Sequence, residues 1–236
     1  MYRDKKVYAI VPAAGSGKRM GEGINKQLLE LQNKPVIVHT LEKFEHNAYI
    51  DFIILVVKAE EKDYFNLEIK DKYQFTKILK IIEGGSERQE SVYKGLKAIE
   101  DLESLVLIHD GARPFVTEQI LTENIKEAYA YGRAVTAVKV KDTVKIVKEG
   151  KALETPPRQW IYLAQTPQSF QYPIIMEAHK QADRDGYMGT DDSSLVERLG
   201  LDVKVVEGDY HNIKITTPED LIVALQIVKE GEKNEN

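Results

Sequence analysis

The chain has 236 residues, 42% hydrophobic and 30% charged, with a formal net charge of −5, which suits one α/β domain with a sizeable core and leaves too little chain for two independent domains. The nearly balanced charge supplies no basic field to collect nucleic acid, no run approaches the ~18 apolar residues that span a bilayer, and residues 1–6 are polar with no secretory apolar region behind them, so a cytoplasmic protein with a small-molecule ligand is expected. The absence of cysteine excludes disulfides, thiolate zinc sites and cysteine nucleophiles.

Apolar, β-branched runs at 7–11, 52–57, 78–82, 105–108 and 134–140 alternate with amphipathic stretches. That alternation predicts a parallel or mostly parallel sheet with helices between its strands. The first run leads into Pro12-Ala13-Ala14-Gly15-Ser16-Gly17-Lys18-Arg19-Met20-Gly21, where small side chains give way to basic ones. Small residues let backbone N–H groups approach an anion closely. Two familiar phosphate loops fail against it. A dinucleotide fingerprint needs glycine where Met20 stands; a P-loop needs glycine at Pro12 and a hydroxyl residue at Arg19. Lys18, Arg19 and Lys26 beside a glycine turn suit a triphosphate.

Further along, Ser86 is read as the start of a helical segment reaching Ile99, and Thr117 as the cap of one reaching Ala130. Asp110 ends an apolar strand at the carboxyl edge where open α/β sheets bind ligands. There it can help bind the Mg²⁺ that accompanies a nucleoside triphosphate, or hold a ribose hydroxyl; the structural alternative is that it caps the following loop with Arg113 as its ion-pair partner. From 141 to 160 the rhythm breaks. A strand-like stretch at 143–147, the turn signal Lys148-Glu149-Gly150-Lys151 and then Thr155-Pro156-Pro157 predict a hairpin, either an ordinary surface feature or an arm reaching a partner subunit. Thr217-Pro218-Glu219-Asp220 combines a cap, a proline at the first helical position and early acids, so a last helix starts there.

Pro-Ala-Ala-Gly-Ser-Gly-Lys-Arg-Met, followed by Asn25-Lys26-Gln27, resembles the signature of the 2-C-methyl-D-erythritol 4-phosphate cytidylyltransferase family. The blocks Gly84-Gly85-Ser86-Glu87-Arg88-Gln89-Glu90-Ser91, His109-Asp110-Gly111-Ala112-Arg113-Pro114, Thr166-Pro167-Gln168 and Asn212-Ile213-Lys214-Ile215-Thr216 resemble that family's in its order. The resemblance implies a Rossmann-like nucleotidyltransferase fold, a mostly parallel twisted sheet flanked by helices with a protruding β-hairpin arm, in a single domain over 1–236. It also implies transfer of CMP from CTP to 2-C-methyl-D-erythritol 4-phosphate with Mg²⁺, in a homodimer joined through 141–160.

Residue by residue, the resemblance places the triphosphate on Gly15, Gly17, Arg19 and Lys26. It places the nucleotide's base and sugar against Pro12, Ala13, Ala14, Gly84, Gly85, Ser86, Ser91, Asp110 and Gly111. The second substrate falls to Asp110, Arg113, Thr166, Thr190 and Lys214, joined by Thr143 and Arg158 from a partner's arm. Arg19, Lys26, Arg158 and Lys214 are the implied catalytic cations and Asp110 the implied metal contact. Transfer to phosphorus needs positioning and charge neutralisation more than a protein nucleophile, so the lack of a catalytic serine or histidine is no objection. The related ribitol 5-phosphate cytidylyltransferases tend to open this loop with Leu-Ala-Gly-Gly, which Pro12-Ala13-Ala14 does not match.

Overall fold

A computed structural model gives the architecture and describes residues 1–15 and 25–234, the side chains at 26 and 232–234 excepted. In chain order the strands are β1 (Val7–Pro12), β2 (Glu30–Leu31), β3 (Lys34–Pro35), β4 (Phe52–Val57), β5 (Ile78–Glu83), β6 (Leu105–Ile108), β7 (Arg133–Lys139), β8 (Ile146–Lys148), β9 (Lys151–Glu154), β10 (Tyr162–Gln171) and β11 (Lys204–Glu207). The helices are α1 (Val36–His46), α2 (Lys62–Tyr64, continued by a π-helical stretch Phe65–Asp71), α3 (Arg88–Lys97), α4 (Glu118–Tyr131), α5 (Tyr172–Arg184), α6 (Asp192–Arg198) and α7 (Pro218–Asn234). No helix among the described residues is long and apolar enough to cross a membrane.

One sheet runs in the order β11-β7-β10-β6-β1-β4-β5. β1 lies at its centre and is buried along its whole length, which explains its unbroken apolar run, since a strand covered on both faces has no polar face to show. Side chains alternate between faces. Val7, Ala9 and Val11 join a core with α1 and α4, while Tyr8 and Ile10 join a second core with α3, α5 and α6. Each fully buried Val, Ile or Leu contributes roughly 1.5–3 kcal/mol by leaving water. The pairings β1–β4, β1–β6, β4–β5 and β7–β11 are parallel, as the alternation predicts.

Two expectations are corrected, and one central strand escapes the sequence reading. β10 runs antiparallel between β6 and β7, carries the cis Thr166–Pro167 bond and shifts register between Ala164 and Gln168; its buried polar residues and proline disguise a central strand. The hairpin starts at Ile146 rather than Thr143, closing through Glu149 and Gly150 at φ 50° and 76°, the paired positive values of a tight hairpin turn. α3 begins at Arg88 with Glu87 at its cap, because Glu90 reaches back and takes both the N–H and the hydroxyl of Ser86.

Other start signals hold. The Thr117 hydroxyl accepts from Ile120 N, and left-handed Gly132 ends α4. Asp220 accepts from Thr216 and Thr217 at the start of α7. The hairpin β8–β9 is exposed throughout. Ile146, Val147 and Leu153 within it and Trp160 beyond it are exposed, Trp160 to 73%.

Candidate active site

The parallel strands end together at one edge of the sheet, and the loops that follow β1, β4, β5 and β6 assemble the site there. After β1, Ala13 N–H donates to Val56 O at 2.6 Å, which pins the start of the basic loop to β4. Gly17 and Arg19 lie outside the described residues, as does the Lys26 side chain. The residue before Lys26 is well fixed. Asn25 is buried, accepts from Gln27 N at 3.1 Å and donates to Glu61 at 2.8 Å, so the exit of the basic loop is tied to the segment that follows β4.

A 360 Å³ cavity opens beside this loop, lined by Ala14, Lys58, Gly84, Gly85, Ser86 and Lys94 among others. Gly84 is required there. A Cβ on it would stand 2.7 Å from both Ala14 Cβ and Ser91 Oγ. Ser91 is buried behind the glycines, accepting from Gly85 N–H at 3.0 Å and donating to Glu87 O at 3.1 Å. Its hydroxyl shapes the turn and has no proton left for a ligand. Ser86 lines the cavity with both its donors on Glu90. On the far side of β1, Gly111 N–H reaches Pro12 O at 3.4 Å, and a Cβ there would meet Gln27 Oε1 at 2.5 Å.

Beyond β6 lies a knot of charge. Asp110 Oδ1 accepts from Arg88 Nε at 2.8 Å and Oδ2 from Lys214 Nζ at 2.7 Å, while Arg113 Nε stands 3.9 Å away. Burial pushes the Asp110 carboxyl up, but Arg88 and Lys214 outweigh it and hold the group well below the usual carboxylate range. Arg113 loses pKa to burial, is supported by Asp110 and is lowered again by Arg88. Its NH1 donates to Asn212 O at 2.6 Å and its buried Nε has no hydrogen-bond partner among the described residues. The sequence alternative in which Arg113 is an ion-pair partner of Asp110 is present too, at 3.9 Å, with Arg88 and Lys214 binding closer.

Lys214 arrives through the loop before α7, where Ile215 N–H donates to Ala112 O at 2.9 Å. Asn212 helps seat that loop with its amide on Thr166 O at 2.9 Å. Thr166 itself is buried, and its hydroxyl accepts from Asp110 N–H at 3.1 Å while lying 3.1 Å from His109 Nδ1. His109 Nε2 faces Arg113 O at 3.1 Å, so the proton belongs on Nε2 and Nδ1 is the acceptor. Thr166 thus spends its proton on His109. It braces Asp110 and has one lone pair left, so toward a substrate it can act only as an acceptor.

Asp110 also fits its implied metal role poorly. Each of its oxygens already serves a cation, and a divalent ion beside Arg88, Arg113 and Lys214 would meet three positive groups. Among the described residues no group of three or more acidic or histidine side chains could hold a metal. Thr190 lies in a neighbouring 210 Å³ cavity with Arg88, Gln89 and Asp192. Thr143 and Arg158 stay on the arm, exposed, with Arg158 donating to Lys141 O at 2.8 Å. The structure therefore brings together Asp110, Arg113, Thr166 and Lys214 but leaves the arm residues apart. It adds Arg88 and Asp192, whose only sequence signal is the place of Arg88 within the Gly84–Ser91 block.

A glycine-lined cavity and a cationic knot at the carboxyl edge of a mostly parallel sheet define an α/β nucleotidyltransferase. The chain belongs to the IspD family, 2-C-methyl-D-erythritol 4-phosphate cytidylyltransferase, whose model matches residues 7–230, and it is an enzyme of isoprenoid biosynthesis. It is similar to the 2-C-methyl-D-erythritol 4-phosphate cytidylyltransferase of Geotalea uraniireducens, 50% identical over 226 residues that cover 95% of this chain and 97% of that one. The Clostridioides difficile protein of the same name is 49% identical, covering 96% and 95%. Among solved structures, 4-diphosphocytidyl-2C-methyl-D-erythritol synthase from Anaerococcus prevotii superposes with a TM-score of 0.84 at 38% identity, covering 95% and 96%.

Proposed function

We propose that the chain transfers CMP from CTP to 2-C-methyl-D-erythritol 4-phosphate at the edge of the sheet between the Gly84–Gly85 cavity and the Asp110 cluster. An oxygen of the 4-phosphate attacks the α-phosphorus of CTP. One P–O bond forms as the bond to the bridging oxygen of the β-phosphate breaks, giving 4-diphosphocytidyl-2-C-methyl-D-erythritol and pyrophosphate. The attacking phosphate has a second pKa near ~6, so it is largely dianionic at pH 7 and needs no general base. What it needs is screening from another polyanion, and that is the task of cations fixed in advance.

The observation that carries this reading is the charge balance at Asp110. Asp110 and Asp192 face Arg88, Arg113 and Lys214, which leaves one positive charge in excess where a phosphate would enter. In this assignment Gly15, Gly17, Arg19 and Lys26 grip the triphosphate, and Pro12, Ala13, Ala14, Gly84, Gly85 and Gly111 pack against the nucleotide, with Ser86 and Ser91 shaping the turn. Arg113, Thr190 and Lys214 hold the second substrate, braced by Thr166. Thr143 and Arg158 complete the site of a partner in a homodimer, a role supported by the exposed apolar residues of the arm. Magnesium enters on the phosphates of the nucleotide rather than on a protein carboxylate. The setting is the cytoplasm, in one domain over 1–236.

The test is pyrophosphate release from a matrix of four nucleotides and several polyol phosphates, ribitol 5-phosphate included. Turnover with CTP and 2-C-methyl-D-erythritol 4-phosphate is the expected result. Preference for ATP or UTP would overturn the base assignment, and preference for ribitol 5-phosphate would overturn the acceptor.

A further inference from the structure

Arg88 reaches past Asp110 to a second buried carboxylate. Its NH1 donates to Asp192 Oδ2 at 2.7 Å, and Asp192 Oδ1 lies 3.3 Å from His179 Nε2. Asp192 and His179 are each 1% exposed. Asp192 opens α6, whose start is fixed by the Asp191 cap and by Gln168, which donates to Asp191 at 2.7 Å and accepts from Ser193 N at 2.8 Å. His179 stands on α5 with its ring stacked on Tyr93, 5.7 Å between centroids. Its Nδ1 is buried without a partner among the described residues. The tautomer that leaves least unpaired carries the proton on Nε2 and donates it to Asp192, because a buried N–H without an acceptor is costly.

These groups form one series of shared charges: His179 to Asp192, Asp192 to Arg88, Arg88 to Asp110, Asp110 to Lys214. Two carboxylates divide Arg88, and Arg88 and Lys214 are the two cations that hydrogen-bond Asp110, with Arg113 farther off at 3.9 Å. A buried carboxylate facing Lys214 alone would take the whole of that ammonium's charge. Arg88 draws off part of the carboxylate's pull, and how much it draws depends on how strongly Asp192 pulls from the other side. A hydrogen bond from His179 weakens that pull. In a low-dielectric interior such exchanges are large enough to move side chains.

We propose, resting on the assignment of Lys214 to the reacting site, that Asp192 and His179 are positioning residues for the transfer: through Arg88 they set how tightly Asp110 holds Lys214, and so how much of its ammonium is left for substrate phosphate. Neither touches the reacting atoms.

Steady-state kinetics of the full chain test this, with both substrates varied at a temperature where every variant is folded by near-ultraviolet circular dichroism. His179→Phe keeps a ring against Tyr93 but donates nothing to Asp192, so Lys214 is drawn onto Asp110 and KM for the polyol phosphate rises about tenfold while KM for CTP stays within about twofold. His179→Gln, whose amide can donate to Asp192, restores the parent KM. Asp192→Asn acts in the opposite sense, releasing Arg88 to Asp110 and freeing more of the Lys214 ammonium, so KM for the polyol phosphate falls about tenfold while KM for CTP stays within about twofold. Residues that serve packing alone would lower the melting temperature and leave kcat and KM per folded molecule unchanged. That outcome in His179→Phe and Asp192→Asn overturns the proposal, and Asp192→Asn decides if His179→Phe does not fold. Lys214→Ala separates the two levels of failure. Normal turnover in Lys214→Ala means that the assignment of Lys214 is wrong, whereas its loss beside unchanged constants in the other two removes only the relay.

Discussion

His109 takes the hydroxyl proton of Thr166 on its Nδ1, 3.1 Å away, with both side chains buried. Burial pushes the imidazole down to about 4. Since its second nitrogen donates to Arg113 O, this one neutral ring holds two segments of the site in register. Protonation would replace the acceptor at Nδ1 with a second donor and break that arrangement.

A dependence of stability on pH follows. The unfolded chain takes up the His109 proton near ~6.5, well before the folded chain does, so the folded state loses stability as pH falls from about 6.5 towards 4. By linkage the loss is about 2 kcal/mol between pH 7 and pH 5. Asp110 and Asp192, both held low, add to the loss only in more acid solution. Urea unfolding at the two pH values should show this difference in the parent chain and a much smaller one in His109→Gln. Equal slopes in both would mean that His109 is not its source.

Gly84→Ala should damage the cavity proposed for the nucleotide. The added methyl group would stand 2.7 Å from Ala14 Cβ and from Ser91 Oγ, neither of which is the free end of a long side chain. Overpacking of this kind costs about 1–3 kcal/mol, so a lower melting temperature and weaker CTP binding by calorimetry are expected together. Parent-like CTP affinity in the variant would count against the cavity as the base site.

Removing single cations should reduce turnover far more than folding. Lys214 is 34% exposed and adds little packing, and its loss leaves Asp110 with Arg88 and Arg113. Lys214→Ala and Lys26→Ala are each expected to lower kcat by roughly 10²–10³, the usual consequence of removing one fixed group that stabilises developing charge. Circular dichroism should be unchanged. An active Lys26→Ala protein would show that the basic loop has another task.

The arm can be tested by mixing. If Arg158 completes the site of a partner, inactive Arg158→Ala and Lys26→Ala subunits combined in one dimer create one site with both lesions and one with neither. Pyrophosphate release should return on mixing under conditions that exchange subunits. No recovery, with hybrid dimers confirmed by native mass spectrometry, would place each active site within one chain.

Much of this was legible from one dimension. β1, β4 and β6 are solid apolar runs because both of their faces are covered, and the caps at Thr117 and Thr217 are local chemistry. β10 was hidden for the opposite reason. Thr166 and Gln168 are satisfied by partners far away in sequence, so a buried strand carries residues that read as loop. β11 is short and buries only Val206. The Asp110 cluster was half visible. Asp110, Arg113 and Lys214 sit in recognisable blocks, but nothing local in the chain couples Arg88 to Asp192 or Asp192 to His179, since those contacts exist only once α3, α5 and α6 pack on the same face.

The reversed direction of β10 has a mechanical consequence. One continuous strand leaves the arm at Tyr162, passes between β7 and β6, and carries Thr166 to the backbone of Asp110 on its way. The arm and the carboxylate that tethers Lys214 therefore share one strand, so in the proposed dimer a change at the arm would have a direct backbone path to each chain's own site.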